Sequence, residues 1–152
     1  MKFKRAVELT PGVKACYRPG LQALSKNDAK RISCENPRQL TGSINVDHAL
    51  QSAQPQANRW DYGIGLQRGE NETAVWVEVH PASSASISDM LNKLEWLKNW
   101  LRSEAPELRK LTGDGFYWVS TEGPIAITPN STYAKQLASV GLHGPMRVLN
   151  LK

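Results

Sequence analysis

Only two cysteines, Cys16 and Cys34, occur in the 152 residues, and they stand too far apart for the Cys-x-x-Cys of a zinc or thiol-redox site. Both are read as ordinary buried thiols. Long apolar runs are equally scarce. Stretches such as Ala74-Val75-Trp76-Val77 fall far short of the roughly 20 residues a membrane-spanning helix needs, which excludes a transmembrane chain. Three signatures of common chemistry are missing: the Gly-x-x-x-x-Gly-Lys-Ser/Thr phosphate loop, the Gly-x-Ser-x-Gly elbow and His-Glu-x-x-His. Nucleotide hydrolysis, serine-hydrolase and zinc-protease chemistry thereby lose their usual support. No internal repeat or low-complexity tract is present, and Pro and Gly are scattered instead of gathered into a linker. One domain over 1–152 is the expectation.

What is present is an ordinary globular composition, 40% hydrophobic and 22% charged, which excludes a disordered or collagen-like chain. The formal charge of +5 is unevenly spread: residues 1–40 carry 9 Lys and Arg against 3 Asp and Glu, and residues 41–152 carry 10 against 11. A basic N-terminal portion, about 1–45, is either a solvated face or an edge that meets the phosphates of DNA or RNA. The residues for such an edge are Lys2, Lys4, Arg5, Lys14 and Arg18. Met1-Lys2-Phe3-Lys4-Arg5 has the positive start of a signal peptide, but Glu8, Pro11 and Lys14 interrupt the apolar core that should follow. The expectation is an uncleaved, cytoplasmic protein.

Short extended pieces are expected over Arg5–Leu9 and Val13–Tyr17, and a helix over Val46–Ala53 capped by Asn45. The clearest feature is a β-hairpin, with strands Trp60–Leu66 and Ala74–His80 joined by the polar segment 67–73. Alternation puts Val75, Val77 and Val79 on one face and Trp76, Glu78 and His80 on the other. On the first strand Asp61 shares its face with Gly63 and Gly65, so the acid is expected on a face that glycine keeps open. Ile87, Met90, Leu91, Leu94, Leu97 and Leu101 then recur at helical spacing, with Ser86 and Asp89 as a capping box and the helix ending before Pro106. Strand-like runs at Phe116–Thr121 and Ile125–Thr128, a helix over Ser131–Val140 and a last strand at Met146–Leu151 complete a mixed α/β order with a sheet covered by helices.

Asp61 on one strand of the hairpin and Glu78 and His80 on the next form the candidate site. Two carboxylates on adjacent strands make a hard oxygen site of the kind magnesium takes. This stretch resembles the PD-(D/E)XK, or restriction-endonuclease-like, nuclease superfamily, with Trp60-Asp61 at the family's Pro-Asp and Glu78-Val79-His80 at its (D/E)-x-K. The likeness runs from Arg59 to Leu101 and more loosely to Thr121, within an expected nuclease-like core of 59–128. It implies an α-β-β-β-α-β core and magnesium, with manganese as substitute, held by Asp61 and Glu78. His80 replaces the family's Lys, and an imidazole does not supply the permanent cation that a lysine does at neutral pH. Some members take the Lys from the following helix, where Lys93 stands off the apolar stripe. The catalytic set is thus Asp61, Glu78, His80 and Lys93.

Each residue also has a bland reading: Asp61 paired with Arg59 or Arg68, Glu78 facing solvent, Lys93 on the wet face of its helix, and Asp47 a first-turn helix acid rather than a third acid of the site. Trp96 and Trp100, four apart on the long helix, form a ridge for the core or for a partner interface. Two functions follow: a magnesium-dependent nuclease, or a non-catalytic protein of nuclease-like fold that binds nucleic acid or another protein.

Overall fold

The computed structural model describes residues 1–121, 127–128 and 130–152 and is built around a five-stranded mixed sheet. In chain order the elements are α1 (Phe3–Glu8), α2 (Lys26–Ala29), β1 (Ile32–Cys34), β2 (Leu40–Asn45), α3 (Val46–Leu50), β3 (Tyr62–Arg68), β4 (Asn71–Val79), α4 (Ile87–Ser103), α5 (Pro106–Leu111), β5 (Thr112–Val119), α6 (Thr132–Ser139), β6 (Leu142–Met146) and β7 (Leu149–Leu151). The sheet order is β2-β3-β4-β5-β6, and β1 and β7 form a separate parallel pair. The fold is the single mixed α/β domain that the order of elements implied.

The three strands β2, β3 and β4 run antiparallel, whereas β5 is parallel to β4 and β6 to β5. Each direction has a local cause. Gly69 takes φ +63° at the β3–β4 turn, a left-handed conformation that a side chain would disfavour. That turn is tighter than the 67–73 connection expected: the first strand keeps its expected length but begins two residues later, and the second is longer and begins at Asn71. A parallel neighbour needs a crossover, which α4 and α5 supply before β5 and α6 supplies before β6. Along α4 the buried residues Ile87, Met90, Leu94, Leu97 and Leu101 keep the expected stripe. Pro106 stops α4 and opens α5, where its missing N–H is not needed.

Both faces of the sheet are covered. Trp76, Trp118 and Phe116 meet α1, α4, α5 and α6 through Phe3, Met90, Leu97, Leu108 and Leu137. On the other side Tyr62, Ile64, Leu66, Val75 and Val77 pack with Leu24, Ile32, Leu149 and Leu151. The glycine face is therefore filled, not open. The Trp76 ring lies over Gly63, and a β-carbon there would come within 2.5 Å of it, while Phe3 occupies the space over Gly65. Trp76 is held by an Nε1 bond to Thr112 Oγ1 (2.9 Å) and meets Trp100 edge-on.

Several local expectations are corrected. Arg5–Leu9 is not extended: Phe3, Ala6 and Val7 have helical spacing and are all buried in α1. Val13–Tyr17 is not extended either, with residues 13–15 in turns and 16–17 in no regular element, and β2 was not foreseen. Asn45 does cap α3, its side chain accepting from His48 N at 2.9 Å, although the helix ends at Leu50. The Ser86–Asp89 capping box does not form, because a 3-10 turn over Ser84–Ser86 leads into α4 and the Ser86 hydroxyl is shared with that of Ser83. β5 begins at Thr112, well before Phe116. Of the strand expected at Ile125–Thr128, residues 125 and 126 lie outside the described residues and 127–128 form no regular element. The C-terminal strand is two, β6 and β7.

The contact over Gly63 gives a direct test of this packing. Gly63→Ala is expected to lower stability by about 1–3 kcal/mol in urea unfolding, because the methyl group must displace the Trp76 ring from a filled core. Gly69→Ala, at the exposed turn, strains the backbone but touches no core side chain.

Candidate functional site

Asp61 stands one residue before β3, and Glu78 one residue before the end of β4. The register that sets Tyr62 opposite Val77 carries on to set Asp61 opposite Glu78, with both side chains on one face. The two acids close the strand ends reciprocally. Asp61 N donates to Glu78 Oε1 at 2.9 Å, and Val79 N donates to Asp61 Oδ2 at 3.0 Å. Lys93 reaches in from the second turn of α4, with Nζ 3.2 Å from Glu78 Oε2 and 3.1 Å from the Arg59 carbonyl oxygen, to which it donates. Asp61, Glu78 and Lys93 are thus one cluster.

Glu78 does not face solvent: only 2% of its side chain is exposed, against 23% for Lys93. Burial, followed by the charge of Asp61, pushes the Glu78 carboxyl up to about 8 despite the opposing pull of Lys93. Burial also raises Asp61, to about 6, while the Val79 N–H and Lys93 restrain it. Near neutral pH the pair holds a proton where two full negative charges would otherwise meet.

His80 stands apart from this chemistry. Its Nδ1 lies 3.0 Å from the Pro81 carbonyl oxygen and its ring meets Trp118 edge-on, with centroids 6.4 Å apart. Among the described residues no hydrogen bond or ion pair joins it to Asp61 or Glu78. Asp47 is taken by Arg59, whose Nε donates to it at 3.0 Å, so Arg59 partners Asp47 and not Asp61. The Trp96–Trp100 ridge is turned inward. Trp100 is buried, Trp96 stacks on it at 6.0 Å, and Trp96 Nε1 donates to Gln54.

The basic N-terminal portion is divided. Lys2 pairs with Glu72 beside the β3–β4 turn, at the opposite end of the strands from Asp61. Arg18 instead bridges to Ser43 of β2 and lines a small cavity with Cys16, Asn45 and His48, on the same end of the sheet as the two acids. Sequence reasoning missed the Arg59 carbonyl and the Asp61 N–H as parts of the cluster. Backbone groups leave no mark in a sequence, so no signal could have found them.

The donor chemistry fits a hard divalent cation: two carboxylates on one face, one fully buried and one half-buried. Among the described residues no three His, Cys, Asp or Glu side chains gather into a cage. Magnesium does not need one, since it keeps several waters and commonly takes one or two carboxylates together with substrate phosphates. No family model, curated protein or solved structure matches the chain. Among the described residues, no helix is long and apolar enough to cross a membrane.

The raised carboxyls set the pH dependence of folding. Both groups hold a proton more tightly folded than unfolded, so stability is greatest where both states are protonated and falls as pH rises from the ordinary carboxylate range through about 8. Urea unfolding between pH 5 and 8.5 is expected to show this decline, and Glu78→Gln to flatten most of it. An unchanged slope in the variant would mean that Glu78 is ionised in the folded chain throughout.

Proposed function

We propose that the chain is a magnesium-dependent phosphodiesterase acting on nucleic acid, with Asp61 and Glu78 holding the metal ion and Lys93 as the cationic group beside them. The observation that carries this reading is the Lys93–Glu78 contact at 3.2 Å, formed across from Asp61. Two carboxylates and a lysine are the functional triad of the nuclease family the sequence resembles, and here the lysine comes from the helix that follows the hairpin. With α2, β1, α3 and α5 set aside as additions, α1, the antiparallel run β2-β3-β4, α4 and then β5 parallel to β4 follow one another in the α-β-β-β-α-β order that the resemblance implies, which supports the reading further.

When bound, the metal ion supplies Lewis-acid polarisation of a phosphate oxygen and lowers the pKa of the attacking water. The protein's own groups do the rest. Loss of the proton from the carboxyl pair leaves two negatively charged side chains on one face of the strand ends, the charge a divalent cation would balance. The Lys93 ammonium, shared between Glu78 and the Arg59 carbonyl, keeps one donor for a water or a non-bridging phosphate oxygen and stabilises charge that develops there. Arg18, at the same end of the sheet, is the member of the N-terminal basic set suited to hold phosphates outside the reacting centre, with Lys4, Arg5 and Lys14 as further candidates.

The second reading is a non-catalytic protein of the same fold, with nucleic acid or another protein as its partner. It draws on the closure of Glu78, whose two oxygens are already taken by Asp61 N and Lys93. The assay that separates the readings compares the parent, Glu78→Gln, Lys93→Met and His80→Lys on single- and double-stranded DNA and RNA with magnesium or manganese. Cleavage by the parent is expected to fall at least 100-fold in Glu78→Gln and in Lys93→Met, with nucleic-acid binding retained. His80→Lys should leave it near the parent's rate, because Lys93 already fills the role. Inactivity of the parent on all four substrates supports the binding protein. Affinity for a DNA or RNA duplex should also fall steeply as salt rises, by counterion release, and the slope should drop by about one in Arg18→Ala. A salt-independent affinity would leave the N-terminal basic surplus as a solubility feature.

A further inference from the structure

Where α4 ends and β5 begins, a cavity of about 340 Å³ is walled by Lys98, Leu101, Arg102, Arg109, Thr112 and Phe116, with Gly113 at its edge. It is separate from the carboxylate pair. Thr112 pairs with Ala74, four residues back along β4 from Glu78, on the order of 13 Å at the rise of a strand. Arg102 lies nine residues beyond Lys93, again about 13 Å along the helix axis.

Three cations and no acid line this cavity. Lys98 and Arg102 are four apart and share one face of α4, while Arg109 approaches from α5. Lys98 is fixed in place, its Nζ donating to the Val140 carbonyl at 2.8 Å and lying 5.4 Å from the centroid of the Phe116 ring. Arg102 gives one donor to Asn99 and keeps the others. The Arg109 side chain makes no hydrogen bond or ion pair among the described residues. The acid nearest it on α5, Glu107, is paired with Lys110 at 3.1 Å. Like charges brought to one concave wall repel, and with no carboxylate in that wall, Glu95 lying on the neighbouring face of α4 that Lys98 and Arg102 also border, they raise a local positive potential that draws an anion. Two guanidinium forks with free N–H donors match the oxygens of a phosphate, which they can hold in bidentate fashion.

We propose that this cavity binds the phosphate end of a small phosphorylated molecule, independently of the carboxylate site. Three positive charges suit a terminal phosphate or pyrophosphate, which carries two or more negative charges, better than a nucleic-acid backbone with one per phosphate. The volume lies at the lower end of the range for small-molecule sites.

Inorganic pyrophosphate titrated calorimetrically into the full chain, in magnesium-free buffer, tests this. Saturable 1:1 binding is expected, at least 10-fold weaker in Arg109→Ala and weaker still in Arg102→Ala/Arg109→Ala. Arg109→Lys, which keeps the charge and loses the fork, should fall between. Lys110→Ala removes a charge from the same helix outside the cavity and should leave affinity unchanged. Arg102 and Arg109 are exposed, so circular dichroism and unfolding midpoints of their variants should match the parent. Absence of saturable binding would overturn the proposal. So would binding that the double variant leaves intact, which would put the anion on other cations of the chain, or a loss in Lys110→Ala equal to that in Arg109→Ala. A short DNA duplex that binds the parent but loses no affinity in the double variant supports the small-molecule assignment; loss of duplex and pyrophosphate binding together would replace it with a nucleic-acid contact.

Discussion

Glu78 is the one ionisable side chain among the buried polar residues described, and much of the arrangement around it follows from the need to satisfy it. A carboxylate removed from water is strongly disfavoured unless it is hydrogen-bonded, paired or protonated, and Glu78 has recourse to all three. Its Oε1 takes the Asp61 N–H, its Oε2 faces Lys93, and burial pushes its proton affinity up to about 8. Asp61 N thereby finds its partner in a side chain. Lys93 in turn fixes where α4 meets the hairpin, because its Nζ is shared between Glu78 and the backbone at Arg59. A group that exchanges a proton or an ammonium for its charge balance is also suited to exchange them for a divalent cation, which is why the proposed activity is centred here.

The position of that group depends on the two-sided sheet. With Trp76 laid over Gly63 and Phe3 over Gly65, the face that bears both acids is core along most of its length and changes character only where the strands end. Glu78 lies at that boundary, on β4, which has an antiparallel neighbour on one side and a parallel one on the other. The change of direction forces the chain out through α4, and α4 carries Lys93 back over the strand ends. Topology and chemistry are joined at this point.

Strand alternation was enough to place Asp61 and Glu78 on one face, and the off-stripe position of Lys93 was enough to mark it on α4. The burial of Glu78 was not legible. An acid in an alternating strand looks the same whether the next layer is water or a helix, and only the approach of α4 decides between them. The reading of Gly63 and Gly65 as an opening failed for a related reason: a missing side chain is space that a neighbouring ring can fill, and Trp76 does. The short elements α1 and β2 were missed because their stability comes from tertiary packing. Phe3, Ala6 and Val7 are helical by spacing but embedded among Lys2, Lys4, Arg5 and Glu8, and β2 carries Thr41, Gly42 and Ser43 where an apolar strand would show itself. His80 follows the alternation yet turns its ring to Trp118, a contact set by β5 and not by its own strand.

The proposal that Asp61 and Glu78 hold a divalent metal ion, with Lys93 beside them, is tested most directly by an anomalous difference map from a crystal soaked in manganese. The expected result is a peak within about 2.0–2.6 Å of one oxygen of Asp61 and one of Glu78, with Lys93 Nζ withdrawn from Glu78 Oε2. A map with no peak there, at a manganese concentration that fills other sites and with Lys93 still in contact with Glu78, would contradict the claim and leave the cluster as a structural ion pair.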